Sequence, residues 1–168
     1  ALCRLIKRMA VDRLHVVGDI YDRGARPDRI LDMLMEHHRV DIQWGNHDIV
    51  WMGAAAGSAV CVATVLNSAL QYNTLAIVEN TYGISLRDLI GFAQETYKGC
   101  TWFMPRSEDD AYYVKNRMDT LSKAHKAIAI IMFKLEGQLI RRHPEYGMDD
   151  RLLLEHIDYT AHLSLIHI

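Results

Sequence analysis

Two stretches of the chain decide the fold: VVGDIYDRGARPD at residues 16–28 and VDIQWGNHDIVW at residues 40–51. Each begins as a short apolar run, typical of a buried strand, and then changes abruptly to charged and polar side chains. The segment between them, residues 28–38, carries its apolar residues on one helical face: Ile30, Leu31, Leu34 and Met35. We therefore predict a βαβ unit with strands at residues 14–19 and 41–44, a parallel sheet and a right-handed crossover.

The polar clusters fall where both predicted strands end, which is where parallel α/β sheets bind ligands. The Asp19 carboxylate can bridge two divalent cations, since its oxygens are hard ligands, and Asn46 offers a carbonyl oxygen to one of them. His47 follows in a turn that Gly45 permits, so its ring is expected to point into the same cleft. Asp22 can accept a hydrogen bond from that ring and stabilise imidazolium, which makes His47 a candidate acid for an alkoxide leaving group.

Arg23 and Gly24 complete the predicted site. The guanidinium of Arg23 is a planar fork for phosphate oxygens, and Gly24 lets the backbone turn close to a bound anion. Asp48 has two open roles, because it can orient His47 or cap the following helix. Taken singly, Asp-Arg-Gly is usually a turn with a surface ion pair, and Asn-His-Asp is usually a helix cap. When both motifs lie at the strand ends of one βαβ unit, they indicate metal-assisted phosphoester hydrolysis.

The rest of the chain is predicted to be helical. Residues 49–78 hold no charged side chain, and GAAAG at residues 53–57 has the glycine spacing of packed membrane helices, so a membrane span is one alternative. Because polar residues dilute this run, we favour buried helices in close contact at the glycines. After Pro105, a long helix is expected to begin in SEDD, residues 107–110, and to end in RRHP, residues 141–144.

A heptad seam runs along this long helix: Met118, Leu121, His125, Ile128, Met132, Leu135 and Leu139. Such a seam packs lengthwise against a partner helix. The helical part of the chain as a whole could also form a homo-oligomer contact. A histidine within the seam is expected to serve packing rather than metal binding. We therefore leave His125 out of the candidate site.

Composition narrows the partners. Lys and Arg number 19 against 21 for Asp and Glu, so the chain lacks the positive field that attracts nucleic acid or anionic membranes. Its three cysteines, Cys3, Cys61 and Cys100, are odd in number and widely spaced, which favours a reducing compartment over a disulfide framework.

The two clusters also carry a resemblance to known proteins. GDIYDRG at residues 18–24 and GNHD at residues 45–48 resemble the second and third motifs of the calcineurin-like metallophosphoesterases. The surrounding sequence narrows this to the class III fructose-1,6-bisphosphatases of Firmicutes and other bacteria, with DIQWGNHDIVWMGAAAG at residues 41–57 as the most specific part. The similarity continues through NTYGISLRDLIGFA, residues 80–93, and covers most of the chain.

The resemblance implies a cytoplasmic two-metal phosphatase, typically manganese-dependent, that removes the 1-phosphate of fructose 1,6-bisphosphate in gluconeogenesis. By position, Asp19 would bridge the metals and Asn46 would bind one of them. His47 with Asp22 would assist the leaving group, and Arg23 would hold phosphate. The expected partner is a small sugar bisphosphate, with no nucleic acid and no membrane.

Half of that family's metal shell is missing from the sequence. Asp12 and His15 are spaced as Asp-x-x-His where the superfamily has Asp-x-His, and the later histidines form no Gly-His-x-His motif. We therefore expect a fragment, inactive alone, with a partial metallophosphoesterase α/β portion at residues 1–58, a helical insertion at 59–162 and a foreign or misread tail at 163–168. The alternatives are a phosphoprotein or dinucleotide phosphatase of the same superfamily and a non-catalytic helical module that binds partners through the heptad seam.

Overall fold

The computed structural model describes residues 2–106, 115–158, 160, 163 and 164. The first half contains helix α1 at Leu2–Ala10, strand β1 at Leu14–Val16, helix α2 at Pro27–Met35, strand β2 at Val40–Ile42, helix α3 at Asn46–Ala55 and helix α4 at Ala59–Gln71. A π-helix at Ile77–Thr81, helix α5 at Arg87–Thr96, a 3-10 turn at Thr101–Phe103 and the long helix α6 at Lys115–Arg142 follow. The chain continues with 3-10 turns at Pro144–Tyr146, Asp149–Arg151 and Leu153–His156 and a short antiparallel pair, β3 at Ile157–Asp158 and β4 at Leu163–Ser164.

The predicted βαβ unit is confirmed. Strand β1 pairs with β2 in parallel, with Leu14 opposite Val40, and α2 connects them. Both strands are shorter than predicted, and β1 ends before Gly18 and Asp19 because their φ angles, 94° and 52°, lie in the left-handed region. Asp19 therefore lies in the loop after the strand. The described structure is mixed α/β and mostly helical, with this two-stranded parallel sheet at the candidate site.

The main core lies among the helices that follow. Helices α4 and α5 both pack against α6, and the fully buried alanines at their contacts, including Ala93 and Ala124, let the backbones approach closely. Leu121 and Ile128 of the predicted seam are core residues, so the seam packs against helices of this chain. Binding of a separate partner through this seam, the helical-module alternative, stays a prediction.

His125 has the packing role predicted for it. It is buried, its ring meets that of Phe103 edge to face at 5.3 Å, and its Nδ1–H donates a hydrogen bond of 3.0 Å to the Phe103 carbonyl. Burial is the main cause that lowers the pKa of His125, with the charge of Arg106 acting in the same direction. A neutral ring at this position satisfies its donor without placing a charge in the core.

The uncharged segment forms two helices, α3 and α4, separated by a turn at Gly57, whose φ is 91°. The expected close contact exists at Gly53, where a Cβ would lie 2.6 Å from the sulfur of Cys61. The prediction of a close contact was wrong for Gly57, which faces open space. Glycine is required there because the φ angle is positive. In the described ranges, no helix combines the length and apolar character needed to cross a membrane.

The end of α6 agrees with the sequence pattern, because Arg141 and Arg142 occupy its last turn. The predicted start at residues 107–110 lies outside the described residues. The division at residues 58 and 59 and the separate character of residues 163–168 stay predictions.

Candidate functional site

The loops that follow β1 and β2 cross at two glycines. A Cβ on Gly18 would lie 2.5 Å from both the Gln43 carbonyl oxygen and the Gly45 nitrogen. A Cβ on Gly45 would lie 2.6 Å from the Asp19 nitrogen and closer still to its carboxylate. No side chain fits at either position, so the two backbones can approach only because both residues are glycine. This crossing brings the GDIYDRG and GNHD segments together at the ends of the parallel strands.

Asp48 fastens the crossing. Its side chain is only 1% exposed, and its two carboxylate oxygens accept hydrogen bonds of 3.0 Å from the backbone N–H groups of Tyr21 and Gly45. The second bond caps the N-terminus of α3, where a negative charge is also favoured by the helix dipole. Of the two roles left open by the sequence, the structure shows the cap, and it adds a tie to the first loop.

Asp22 and His47 lie side by side, as the sequence predicted. Nε2 of His47 is 3.2 Å from Oδ1 of Asp22, and the backbone N–H of His47 donates a hydrogen bond of 3.3 Å to Oδ1 of Asp19. The Asp22 oxygen is buried, yet it accepts no well-formed hydrogen bond from any described residue. This oxygen therefore has the capacity to accept a hydrogen bond from the imidazole beside it.

Arg23 lies at the rim of the site. Its side chain is 62% exposed, and its Nε is 3.5 Å from Oδ1 of Asp22. The guanidinium also lies over the ring of Tyr72, with Cζ 4.4 Å from the ring centroid. No sequence pattern points to Tyr72, which is distant along the chain and follows the end of α4.

An aromatic cluster also contacts the loop that follows β1. Tyr21 stacks on Trp51 with ring centroids 4.5 Å apart, and Trp51 lies 5.5 Å from the ring of Tyr82. The hydroxyl groups of Tyr21 and Tyr82 are in hydrogen-bonding contact. Burial, and then this contact with Tyr82, raise the pKa of Tyr21, which is therefore neutral at physiological pH. All three residues line an apolar cavity of about 500 Å³.

The donor set suits a hard cation in type but is incomplete in number. Asp19 and Asn46 provide carboxylate and amide oxygens, which divalent cations of the Mg²⁺ and Mn²⁺ type prefer. Over the described part of the chain, however, no three His, Cys, Asp or Glu residues are grouped so as to hold a metal ion. Nδ1 of His15 lies 2.7 Å from Oδ2 of Asp41 at the surface, so this histidine of the Asp-x-x-His pair is hydrogen-bonded to Asp41.

Comparison with known proteins identifies the family of this chain. The chain matches the family model for Firmicute fructose-1,6-bisphosphatase over residues 1–167. The chain therefore belongs to the Firmicute fructose-1,6-bisphosphatase family, and the resemblance seen in its sequence is confirmed. No solved structure matches it.

Curated relatives give the extent of the similarity. The chain is 54% identical to a class 3 fructose-1,6-bisphosphatase of Listeria innocua serovar 6a, over 98% of this chain and 26% of the relative. It is 52% identical to a class 3 enzyme of Clostridium beijerinckii, over 95% of this chain and 25% of that protein. A class 3 enzyme of Alkaliphilus metalliredigens is 50% identical over 94% of this chain and 24% of its own length. The chain thus spans about a quarter of the length of these relatives.

Proposed function

We propose that the full-length gene product carrying this chain is a fructose-1,6-bisphosphatase, which hydrolyses fructose 1,6-bisphosphate to fructose 6-phosphate and phosphate. Membership of the family and the names of relatives at 50–54% identity support this proposal. The observation that carries it is the approach of Asp22 and His47 to 3.2 Å at the carboxyl ends of two parallel strands. This is the arrangement in which an acid can act on a phosphoester bound at the strand ends.

The proposed mechanism assigns proton transfer to His47. Its Nε2 lies 3.2 Å from Oδ1 of Asp22, and this carboxylate holds the orientation of the ring. A water oxygen bonds to phosphorus as the bond from phosphorus to the sugar oxygen breaks, and the ring gives its proton to the departing sugar oxygen, so that an alcohol rather than an alkoxide leaves. The attacking water gives one proton to solvent, and its other proton stays on the phosphate. Arg23, exposed at the rim, neutralises the phosphate oxygens during this step.

We further propose that Asp19 and Asn46 hold divalent metal, manganese in the two-metal form of the enzyme. When bound, such ions would polarise the phosphoryl group and activate water as a nucleophile. The described residues supply only part of the metal's ligands, so we propose that the remaining ligands lie elsewhere in the full-length protein. We also propose that β1 and β2 belong to a larger metallophosphoesterase sheet. In the cell, the proposed enzyme acts in gluconeogenesis in the cytoplasm.

A substrate comparison tests the proposed activity. The full-length gene product is stripped of metal with a chelator, and manganese is then restored. Phosphate release is measured with fructose 1,6-bisphosphate, a phosphopeptide and a dinucleoside tetraphosphate at matched concentrations. We expect manganese-dependent release that is fastest with the sugar bisphosphate, with fructose 6-phosphate as the product. Preference for either other substrate would replace this assignment with another phosphoesterase activity.

A further inference from the structure

The contact between Arg23 and Tyr72 joins the candidate site to the helical part of the chain. Arg23 belongs to the loop after β1, whereas Tyr72 caps the C-terminus of α4. The Arg23 Cζ lies 4.4 Å from the centroid of the Tyr72 ring, within the range of an attractive cation–π contact. The charged group and its aromatic support therefore come from different elements, and their contact depends on how α4 docks.

The ring of Tyr72 has a firm base. Its backbone N–H donates a hydrogen bond of 2.9 Å to the Ser68 carbonyl, which closes the last turn of α4. The backbone around Tyr72 is also held by hydrogen bonds. The N–H of Arg106 donates to the Gln71 carbonyl at 2.8 Å, and the N–H of Thr74 donates to the Ala69 carbonyl at 2.8 Å. The ring itself is half-buried. A side chain held in this way can serve as a platform for a mobile neighbour.

Arg23 needs such a platform if it is to hold phosphate. An exposed arginine samples many rotamers, and fixing one of them costs conformational entropy each time a ligand binds. Stacking occupies a face of the guanidinium and leaves its N–H edges available for phosphate oxygens. Nε also lies 3.5 Å from Oδ1 of Asp22, so the group contacts a carboxylate as well as a ring.

We propose that Tyr72 is a positioning residue that holds the Arg23 guanidinium in place for the phosphate of the substrate. This inference rests on the proposed function, since it assumes that Arg23 binds phosphate. Tyr72 acts through Arg23 and takes no part in bond breaking. Its loss should therefore weaken binding in the ground state and the transition state alike, which raises KM and leaves kcat nearly unchanged.

Substitution of Tyr72 in the full-length gene product tests the proposal. We expect Tyr72→Leu to raise both KM for fructose 1,6-bisphosphate and the inhibition constant of inorganic phosphate by ~2- to 5-fold, the value of a partly exposed cation–π contact. Tyr72→Phe keeps the aromatic face and should behave as wild type. Tyr97→Leu is the matched control, because it removes a half-buried ring that lies 5.5 Å from Nζ of Lys126, in another cation–π contact of this chain.

A double-mutant cycle separates positioning from a general packing defect. In an Arg23→Ala background, Tyr72→Leu should cause no further rise in KM, because the group it positions is gone. An equal rise with and without Arg23, or a loss with Tyr72→Phe as large as with Tyr72→Leu, would overturn the proposal. So would an effect of the same size in Tyr97→Leu.

Calorimetric binding of inorganic phosphate keeps this inference distinct from the proposed function. If the wild type fails to hydrolyse fructose 1,6-bisphosphate but binds phosphate, and Tyr72→Leu weakens that binding by ~2- to 5-fold, the substrate assignment fails and the positioning role stands. If hydrolysis proceeds and Tyr72→Leu changes neither KM nor phosphate binding, the positioning role fails and the substrate assignment stands.

Discussion

The carboxylate of Asp48 accepts a hydrogen bond of 3.0 Å from the backbone N–H of Tyr21, which joins the start of α3 to the loop that follows β1. Its other oxygen accepts from Gly45, so one buried side chain fixes both loops at their crossing. Asp22 follows Tyr21 directly, and His47 precedes Asp48. The approach of the candidate acid to its carboxylate therefore depends on this support.

Asp48→Asn should destabilise the protein by ~2–3 kcal/mol, because a side-chain NH₂ group would then face a backbone N–H in a buried position. The free energy of unfolding is measured by urea titration followed by circular dichroism. Asp150→Asn serves as the control, since Asp150 is exposed in a 3-10 turn. Equal stability of Asp48→Asn and the control would show that the two hydrogen bonds do not hold the loops together.

Gly45→Ala should lower the free energy of unfolding by ~1–3 kcal/mol, because the added Cβ cannot fit against Asp19 without a backbone shift. Gly91→Ala is the contrasting variant. Its Cβ would have no neighbour within 4 Å, and its position inside α5 predicts a gain of ~0.5–1 kcal/mol from helix propensity. Urea unfolding of both variants checks the prediction, which fails if Gly45→Ala is neutral.

His125 should make the protein less stable in acid. Its pKa is lowered in the folded state, so below the ordinary histidine value of about 6.5 the unfolded chain binds a proton that the folded chain resists. The free energy of unfolding should therefore decrease as pH falls through this range. His125→Gln should flatten this pH dependence, whereas the exposed His38→Gln should retain it. An unchanged slope in His125→Gln would contradict the prediction.

Tyr21 should have the opposite pH effect. Its pKa is raised by burial and by Tyr82, so above the ordinary tyrosine value of about 10 the unfolded chain loses a proton that the folded chain retains. Stability should therefore fall as pH rises above that value, and less steeply in Tyr21→Phe. Tyr146→Phe removes an exposed tyrosine and is the control. The same steep loss in Tyr21→Phe as in wild type would rule out Tyr21 as its source.

The sequence predicted those parts of the candidate site that depend on the order of neighbouring strands and loops along the chain. Asp22 and His47 could be predicted to meet because each follows a strand of one βαβ unit, and the parallel pairing brings those ends together. The contacts of Tyr72 with Arg23 and of Tyr82 with Tyr21 could not be predicted from the sequence. They depend on how α4 and the π-helix dock, which no local pattern specifies. The choice between two roles for Asp48 likewise needed the hydrogen bonds to Tyr21 and Gly45 that the structure shows.

The most direct test compares His47→Ala with Asp19→Asn in the full-length gene product, with metal content and phosphate release from fructose 1,6-bisphosphate measured on the same samples. We predict that His47→Ala retains its metal and loses ~10²-fold or more in kcat, as expected for removal of a general acid. Asp19→Asn should instead bind less metal. Equal metal loss in the two variants, or full activity in His47→Ala, would contradict the separate roles assigned to the two loops.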